Sequence, residues 1–366
     1  MNVHKKDIKT KHYDNNVKKV ISLFLKYGVP VVIGVGLFYF LYKNVNIGEM
    51  MSVLGNDVNY WWFALVVVVS TFSHIFRAMR WRLQLKAIGV NAPLSALINS
   101  IFGTYAVNLV FPRLGEVWRT GYIADRQKAS FTKVLGSMVA DRLTDTVTVL
   151  ALTIFTFFLA KSAFVKFLDT YPQIKYGLWN LATSPLAWGA AAVCVVLVVW
   201  LFASKTQNAA VVKVRTMLKN LWNGFYGITK MDGKWWFLLY TVLIWGCYFM
   251  QLYLATFAFT FTASIGVVAT LVLFVLSSIG MGIPTNGGLG SWHIAIIFGL
   301  SLYGVGAFDP KHFDPQASAF AMLVWGIQTL LLIVLGIYAF VSMGIDRRRI
   351  EKGEVTVETS GDGMQI

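Results

Sequence analysis

Apolar runs of membrane-crossing length recur along these 366 residues, and that alone removes most soluble folds. Full spans are expected at 20–42, 60–76, 134–160, 185–203, 235–262 and 317–343. Hydrocarbon offers no hydrogen-bond partners, so each crossing must satisfy its own backbone, which a helix does. Composition agrees. Hydrophobic residues make up 57% and charged residues 13%, against about 25% charged in a soluble domain. Mean hydropathy is +0.62. The expected class is all-α, a polytopic helical membrane protein. Trp61-Trp62 and Trp235-Trp236 open two of the runs, where an interfacial aromatic belt would sit.

The net charge of +15 does not point to nucleic acid, because the basic residues flank the apolar runs as the positive-inside rule expects. Attraction to anionic headgroups is its natural consequence. Six lysines precede Ile21, and the run after them is too long for a signal peptide and lacks a small-residue cleavage site. It reads as a retained first span behind a basic cytoplasmic segment, 1–19. Cys194 and Cys247 both lie in apolar runs and read as packing residues, not as a disulfide or thiol site.

Two stretches break the pattern. Residues 94–111 end at Phe111-Pro112. Arg77, Arg80, Arg82 and Lys86 precede them, and Arg113, Arg119, Arg126, Lys128 and Lys133 follow. Two basic flanks fit a re-entrant hairpin that enters and leaves on the inside. Residues 264–306 carry Gly280, Gly282, Pro284 and then Thr285-Asn286-Gly287-Gly288-Leu289-Gly290, a broken-helix pattern. The flanks of that stretch, Thr260–Ser264 and Asp309–Asp314, are poor in Lys and Arg, so it is expected to enter from outside. With six crossings both termini fall inside, 161–184 forms an external loop, and 204–233 is basic and interfacial. Counting the hairpins as spans gives eight or more. One broken hairpin from each side is the arrangement of inverted halves, although no residue-level repeat is visible.

Ionisable residues gather at these breaks. Charges at membrane depth are costly and generally face a partner or a water-filled cavity. Arg113, Glu116 and Arg119 recur every three residues, on one broad face of the helix after Pro112. They can hold a lipid phosphate, with Asn108 beside them, or form an ordinary basic cytoplasmic helix. Asp141, Arg142 and Asp145 are a gating or orienting network, or a structural salt bridge in which Arg142 pairs with Asp145. Arg77 and Arg80 read as inner-end anchors snorkelling to headgroups. Gly287, Gly288 and Gly290 permit close backbone approach to a ligand, or a tight turn between two spans. His293 reads as a satisfied hydrogen-bonding residue. No HExxH, GxSxG or Walker A pattern occurs, so no enzyme, cofactor or metal is expected. A metal site at Asp309, His312 and Asp314 is rejected.

The motifs Asn108, Pro112-Arg113-Leu114-Gly115-Glu116 with Arg119, Asp141-Arg142 with Asp145, and Pro284 through Gly290 together resemble the lysylphosphatidylglycerol synthase transmembrane-region family, whose members are also called flippase-like domain proteins. The resemblance covers roughly 20–345, followed by a short cytoplasmic tail, 346–366. It implies a multi-pass protein of the bacterial or archaeal cytoplasmic membrane. It also implies movement of a phospholipid, anionic or aminoacylated, with any lipid-modifying enzyme as a separate partner. The chain leaves no room for a synthase domain and is expected not to make that lipid itself. It departs from the family at Asp141, where Glu is common, and at Ser291-Trp292-His293, where an acidic residue is often seen. The alternative is a membrane enzyme, or an enzyme's partner, acting on a lipid-linked sugar or aminoacylated lipid.

Overall fold

The computed structural model describes residues 45–170, 172–204, 231–283, 285–309 and 313–354, with isolated positions between 32 and 43 and between 206 and 215. Most of the first expected span, most of the basic stretch 204–233, Pro284, His312 and the tail beyond 354 lie outside the described residues. Twelve α-helices order the rest: α1 Ile47–Asn56, α2 Trp61–Ala87, α3 Leu94–Val110, α4 Leu114–Arg126, α5 Phe131–Leu159, α6 Lys161–Thr170, α7 Pro172–Thr183, α8 Pro185–Ala203, α9 Lys234–Thr256, α10 Gly266–Gly280, α11 Ser291–Ser301 and α12 Pro315–Glu351. Among the described residues, β pairing is confined to one isolated bridge, Val58 with Phe259. The protein is a polytopic helical membrane protein. By length and composition α2, α5, α9 and α12 can each cross a bilayer.

The ends of α12 show why the longest helix holds together. The Asp314 carboxylate accepts the Ala317 N–H at 2.9 Å, Pro315 occupies the first turn, and Arg348 and Arg349 close the last. Leu330, Val334, Ile337 and Val341 on α12, and Leu150, Ile154 and Phe158 on α5, are exposed and apolar, as a lipid-facing surface requires. The α2 and α9 helices pack antiparallel, with Phe63 against Phe259 at one level and Arg80 against Phe237 at another.

Both breaks become helical hairpins, but 94–111 is not itself the hairpin: it is the single helix α3, and the expected basic flank supplies the second limb, α4. In the first, α4 folds back along α3. Gly103 lies under the Trp118 ring, and Gly115 lies so close to the Thr104 carbonyl that a Cβ there would stand 2.2 Å from its oxygen. Arg113 makes the turn in the left-handed region, at φ 62°. The open ends of this hairpin both reach the C-terminal half of α12: Asn99 donates to Ser342 at 2.8 Å, and Arg126 holds Asp346 at 2.6 and 3.0 Å. In the second hairpin α10 and α11 are antiparallel, with Gly280 against Ser291 and Gly299 against Leu273. Its loop needs Gly287, Gly288 and Gly290 at φ 57°, 78° and 80°, where a Cβ is strained. This hairpin packs on the N-terminal half of α12.

The hairpin tips meet each other. Asn286 Nδ2 donates to the carbonyls of Leu109 and Val110 at 3.1 and 3.0 Å, and Arg113 Nη2 donates to the Gly282 carbonyl at 2.6 Å. Helix α3 thus ends with carbonyls that would otherwise be orphans, supplied by the opposite hairpin.

Three expectations change. The stretch 161–184, expected as a loop, carries two helices, α6 and α7; Lys175 pairs with Asp169 at 2.6 Å across their junction. A helix, α1, precedes α2, with Asn46 capping Glu49 at 3.2 Å. The span expected at 235–262 ends as a helix at Thr256, because the chain then turns to meet Val58 and Asn59.

Candidate functional site

The site begins as a polar stripe on an apolar helix. Ser70, Ser73, His74, Arg77, Arg80 and Gln84 follow one another on α2 at intervals of three or four, apart from the single step from Ser73 to His74, so they share one face, and all are buried. Ser70 Oγ lies 2.9 Å from Gln328 Oε1 of α12, and Gln251 of α9 reaches Ser73 at 3.5 Å. Arg77 Nε donates to the Tyr248 hydroxyl at 3.3 Å, which meets the Tyr105 hydroxyl at 3.1 Å. Arg77 lies 16 residues from Trp61 and 10 from Ala87, or about 24 Å and 15 Å along the helix. Arg77 is therefore more than two turns from either end of a helix long enough to cross a bilayer.

Arg80 is the centre of an ion network. Its Nη2 lies 2.6 Å from Asp141 Oδ1 and 2.7 Å from Asp145 Oδ1, and its Nε donates to Asp141 Oδ1 at 3.0 Å. Arg77 Nη1 lies 2.7 Å from Asp145 Oδ2 and 3.6 Å from Asp141 Oδ2. Arg119 Nη2 reaches Asp141 Oδ2 at 3.4 Å, and its guanidinium sits 4.5 Å over the Trp81 ring. Trp81 is itself held by Ser137 at 3.0 Å. Arg142 Nη1 lies 3.7 Å from Glu116 Oε1 and 4.0 Å from Asp145 Oδ2. Asn108 joins the edge by donating to Glu116 Oε2 at 3.2 Å. Asp141 and Asp145, one turn apart on α5, therefore face Arg77 and Arg80, one turn apart on α2.

Four guanidiniums (Arg77, Arg80, Arg119, Arg142) meet three carboxylates (Glu116, Asp141, Asp145), which leaves one positive charge over. Arg119 Nε and Nη1 and Arg142 Nε are buried atoms with no hydrogen-bond partner among the described residues. Arg80, Arg119 and Asp141 are fully enclosed, whereas the Arg142 side chain is 36% exposed and Glu116 is 17% exposed. The network therefore opens between α4 and α5, at Glu116 and Arg142.

This placement corrects the reading of several residues. Arg77 and Arg80 are not snorkelling anchors: they are buried and paired with two aspartates across the bundle. Their i, i+3 spacing, matched to Asp141 and Asp145 and continued by Ser70, Ser73, His74 and Gln84, is the signal that could have revealed them. Arg113, Glu116 and Arg119 do not share a face. Arg113 precedes α4 and points to Gly282, while Arg119 points inward onto Trp81 and Asp141. Asp145 pairs closely with Arg77 and Arg80, and only loosely with Arg142. Gly287, Gly288 and Gly290 belong to the hairpin junction instead of the ion network; the Gly287 carbonyl accepts the Trp325 indole N–H at 2.8 Å. His293 is enclosed by the rings of Phe38, Tyr42, Trp292 and Trp325, and neither of its nitrogens has a hydrogen-bond partner among the described residues. Tyr105, Tyr248 and Thr241 also border the network and carry no local sequence signal.

Residues 28–337 match the family described as Lysylphosphatidylglycerol synthase TM region, and the chain belongs to it. Neither the curated proteins nor the solved structures contain a match.

Proposed function

We propose that this member of the lysylphosphatidylglycerol synthase TM region family moves an anionic or aminoacylated phospholipid across the cytoplasmic membrane as a flippase or related lipid-linked transporter. The observation that carries the reading is the excess guanidinium charge of the buried network, opening at Glu116 and Arg142. A guanidinium offers phosphate paired N–H donors in a fixed fork. A phosphate arriving between α4 and α5 compensates the surplus charge and takes the unpartnered Nε donor of Arg142. Glu116 gives way, and Asp141 and Asp145 keep the remaining guanidiniums in place. Asn108, Arg113, Glu116 and Arg119 form the headgroup side of the path, with Arg119 acting through Asp141. Gly287, Gly288 and Gly290 close it where the hairpin tips meet. Asp141, Arg142 and Asp145 are the gating network.

This reading gives the chain no chemistry of its own on the lipid; a separate enzyme would modify the headgroup. Both termini lie in the cytoplasm, with the basic ends of the helices.

The test is movement of labelled lipid between leaflets of reconstituted vesicles, read by leaflet-selective quenching. The panel is phosphatidylglycerol, lysylphosphatidylglycerol, phosphatidylethanolamine and phosphatidylcholine. Lipids with a phosphatidylglycerol core should move faster than in protein-free vesicles, and Glu116→Gln and Arg142→Gln should slow them at equal folded protein. Rates equal to protein-free vesicles for every lipid would remove the transport reading and favour a non-transporting partner of a membrane enzyme.

A further inference from the structure

A second feature lies on the opposite side of the hairpin junction from the ion network's opening. A cavity of about 390 Å³ runs between α3, the glycine loop and α12. Ala106 and Gly336 form its floor, Leu109 and Trp325 its inner end, and Ile333 and Phe340 its rim. The floor exists because small residues face each other: a Cβ on Gly336 would stand 2.3 Å from that of Ala106. The inner wall is fixed, since the Trp325 indole N–H is held by the Gly287 carbonyl.

We propose that this cavity holds one acyl chain of an anionic glycerophospholipid from the leaflet that surrounds the C-terminal half of α12. Three observations select that occupant. The lining contains no ionisable side chain, and both Asn286 amide donations go to Leu109 and Val110, so a charged headgroup finds no counter-charge there. The rim is on the exposed apolar surface of a membrane-crossing helix, where the surrounding medium is hydrocarbon. Trp325 to Phe340 is 15 residues, about 22 Å along the helix, which exceeds the roughly 15 Å depth of one leaflet's hydrocarbon. Charge fits as well. Arg347 lies seven residues, about 10 Å, beyond Phe340. With Arg348 and Arg349 it marks a basic end where the phosphate of such a lipid would lie. No water is expelled when a chain leaves hydrocarbon, so retention rests on shape and not on hydrophobicity.

The volume falls in the range of about 300–1,000 Å³ found for ligand sites. The inference is independent of transport, because occupancy can be read at equilibrium.

The experiment uses the full chain in vesicles of phosphatidylethanolamine and phosphatidylglycerol, doped with phosphatidylglycerol carrying a diazirine midway along one chain. Photolysis and residue-level mass spectrometry locate the adducts. The expected result is at least fivefold more adduct at Leu109, Ile333 and Phe340 than at Leu330, Val334 and Val341, which are exposed on α12 but do not line the cavity. Labelling spread evenly around α12 would overturn the site. Thr329→Trp, which fills the cavity, should cut the adduct at Ile333 by a similar factor. Undiminished labelling of a folded Thr329→Trp variant would also overturn it. Should that variant not fold, the wild-type distribution decides by itself. A phosphatidylcholine probe should label several-fold less; equal labelling would overturn the anionic occupant.

Discussion

Replacing Arg80 with methionine is the sharpest probe of the buried network. The methionine keeps much of the stem volume and removes the guanidinium. Asp141 then loses its contacts at 2.6 and 3.0 Å and retains only the longer approaches of Arg119 at 3.4 Å and Arg77 at 3.6 Å. Asp145 loses one of its two partners at 2.7 Å. Removing one member of a buried pair costs about 3–5 kcal/mol, because the other is left uncompensated. An anchor that merely snorkelled to the interface would cost within about 0.5 kcal/mol. The gap between those figures decides the matter. Adding Asp141→Leu should recover part of the loss, so the double variant is expected to fall short of the sum of the singles by about 1–3 kcal/mol. Neutral hydrogen bonds between membrane helices average only about 0.6 kcal/mol in such cycles, so an ion pair of this geometry stands apart from them. The assay is equilibrium unfolding in mixed micelles followed by tryptophan fluorescence. A loss under 1 kcal/mol for Arg80→Met, or strict additivity in the cycle, would refute the network.

Other expectations concern the hairpins and topology. Gly115→Ala places a Cβ 2.2 Å from the Thr104 carbonyl oxygen and 2.8 Å from Asn108 Oδ1; forcing α3 and α4 apart should cost about 1–3 kcal/mol in the same unfolding assay. Gly121→Ala on the same helix meets nothing within 4 Å and should gain about 1 kcal/mol from helix propensity. If both glycines respond alike, the close approach of α3 and α4 is wrong. Asn286→Ala removes two donations across the hairpin junction and should lower stability by about 1 kcal/mol per bond; an unchanged midpoint would mean the tips are held by other contacts. For the re-entrant topology, a cysteine at exposed Asp125 should be labelled only after permeabilisation, and one at exposed Lys175 on intact cells. Labelling of residue 125 from outside would show that α3 crosses the membrane.

Much of this molecule was legible in the chain. Long apolar runs with basic flanks can become little other than membrane helices, because each crossing satisfies its own backbone. That argument is local, and α2, α5, α9 and α12 lie close to where it puts them. The hairpins were legible for the same reason. A proline after a short apolar run and a cluster of glycines both break a helix wherever they stand. The family itself was recognised by residue type and order, and residues 28–337 carry the match.

What the chain did not state was partnership. Asp141 and Asp145 read as a local group with Arg142, because spacing along one helix is all a sequence displays. Their close partners, Arg77 and Arg80, come from another helix more than sixty positions earlier. Arg119 looked like half of a clamp with Arg113, until packing against Trp81 turned it inward. The meeting of the hairpin tips, and the cavity between α3 and α12, depend on small residues such as Ala106 and Gly336 facing each other. Helical periodicity fixes which residues share a face. The register between helices fixes which faces meet. That register is set by packing along the whole length of each pair, so charge pairing at membrane depth was decided only by the tertiary structure.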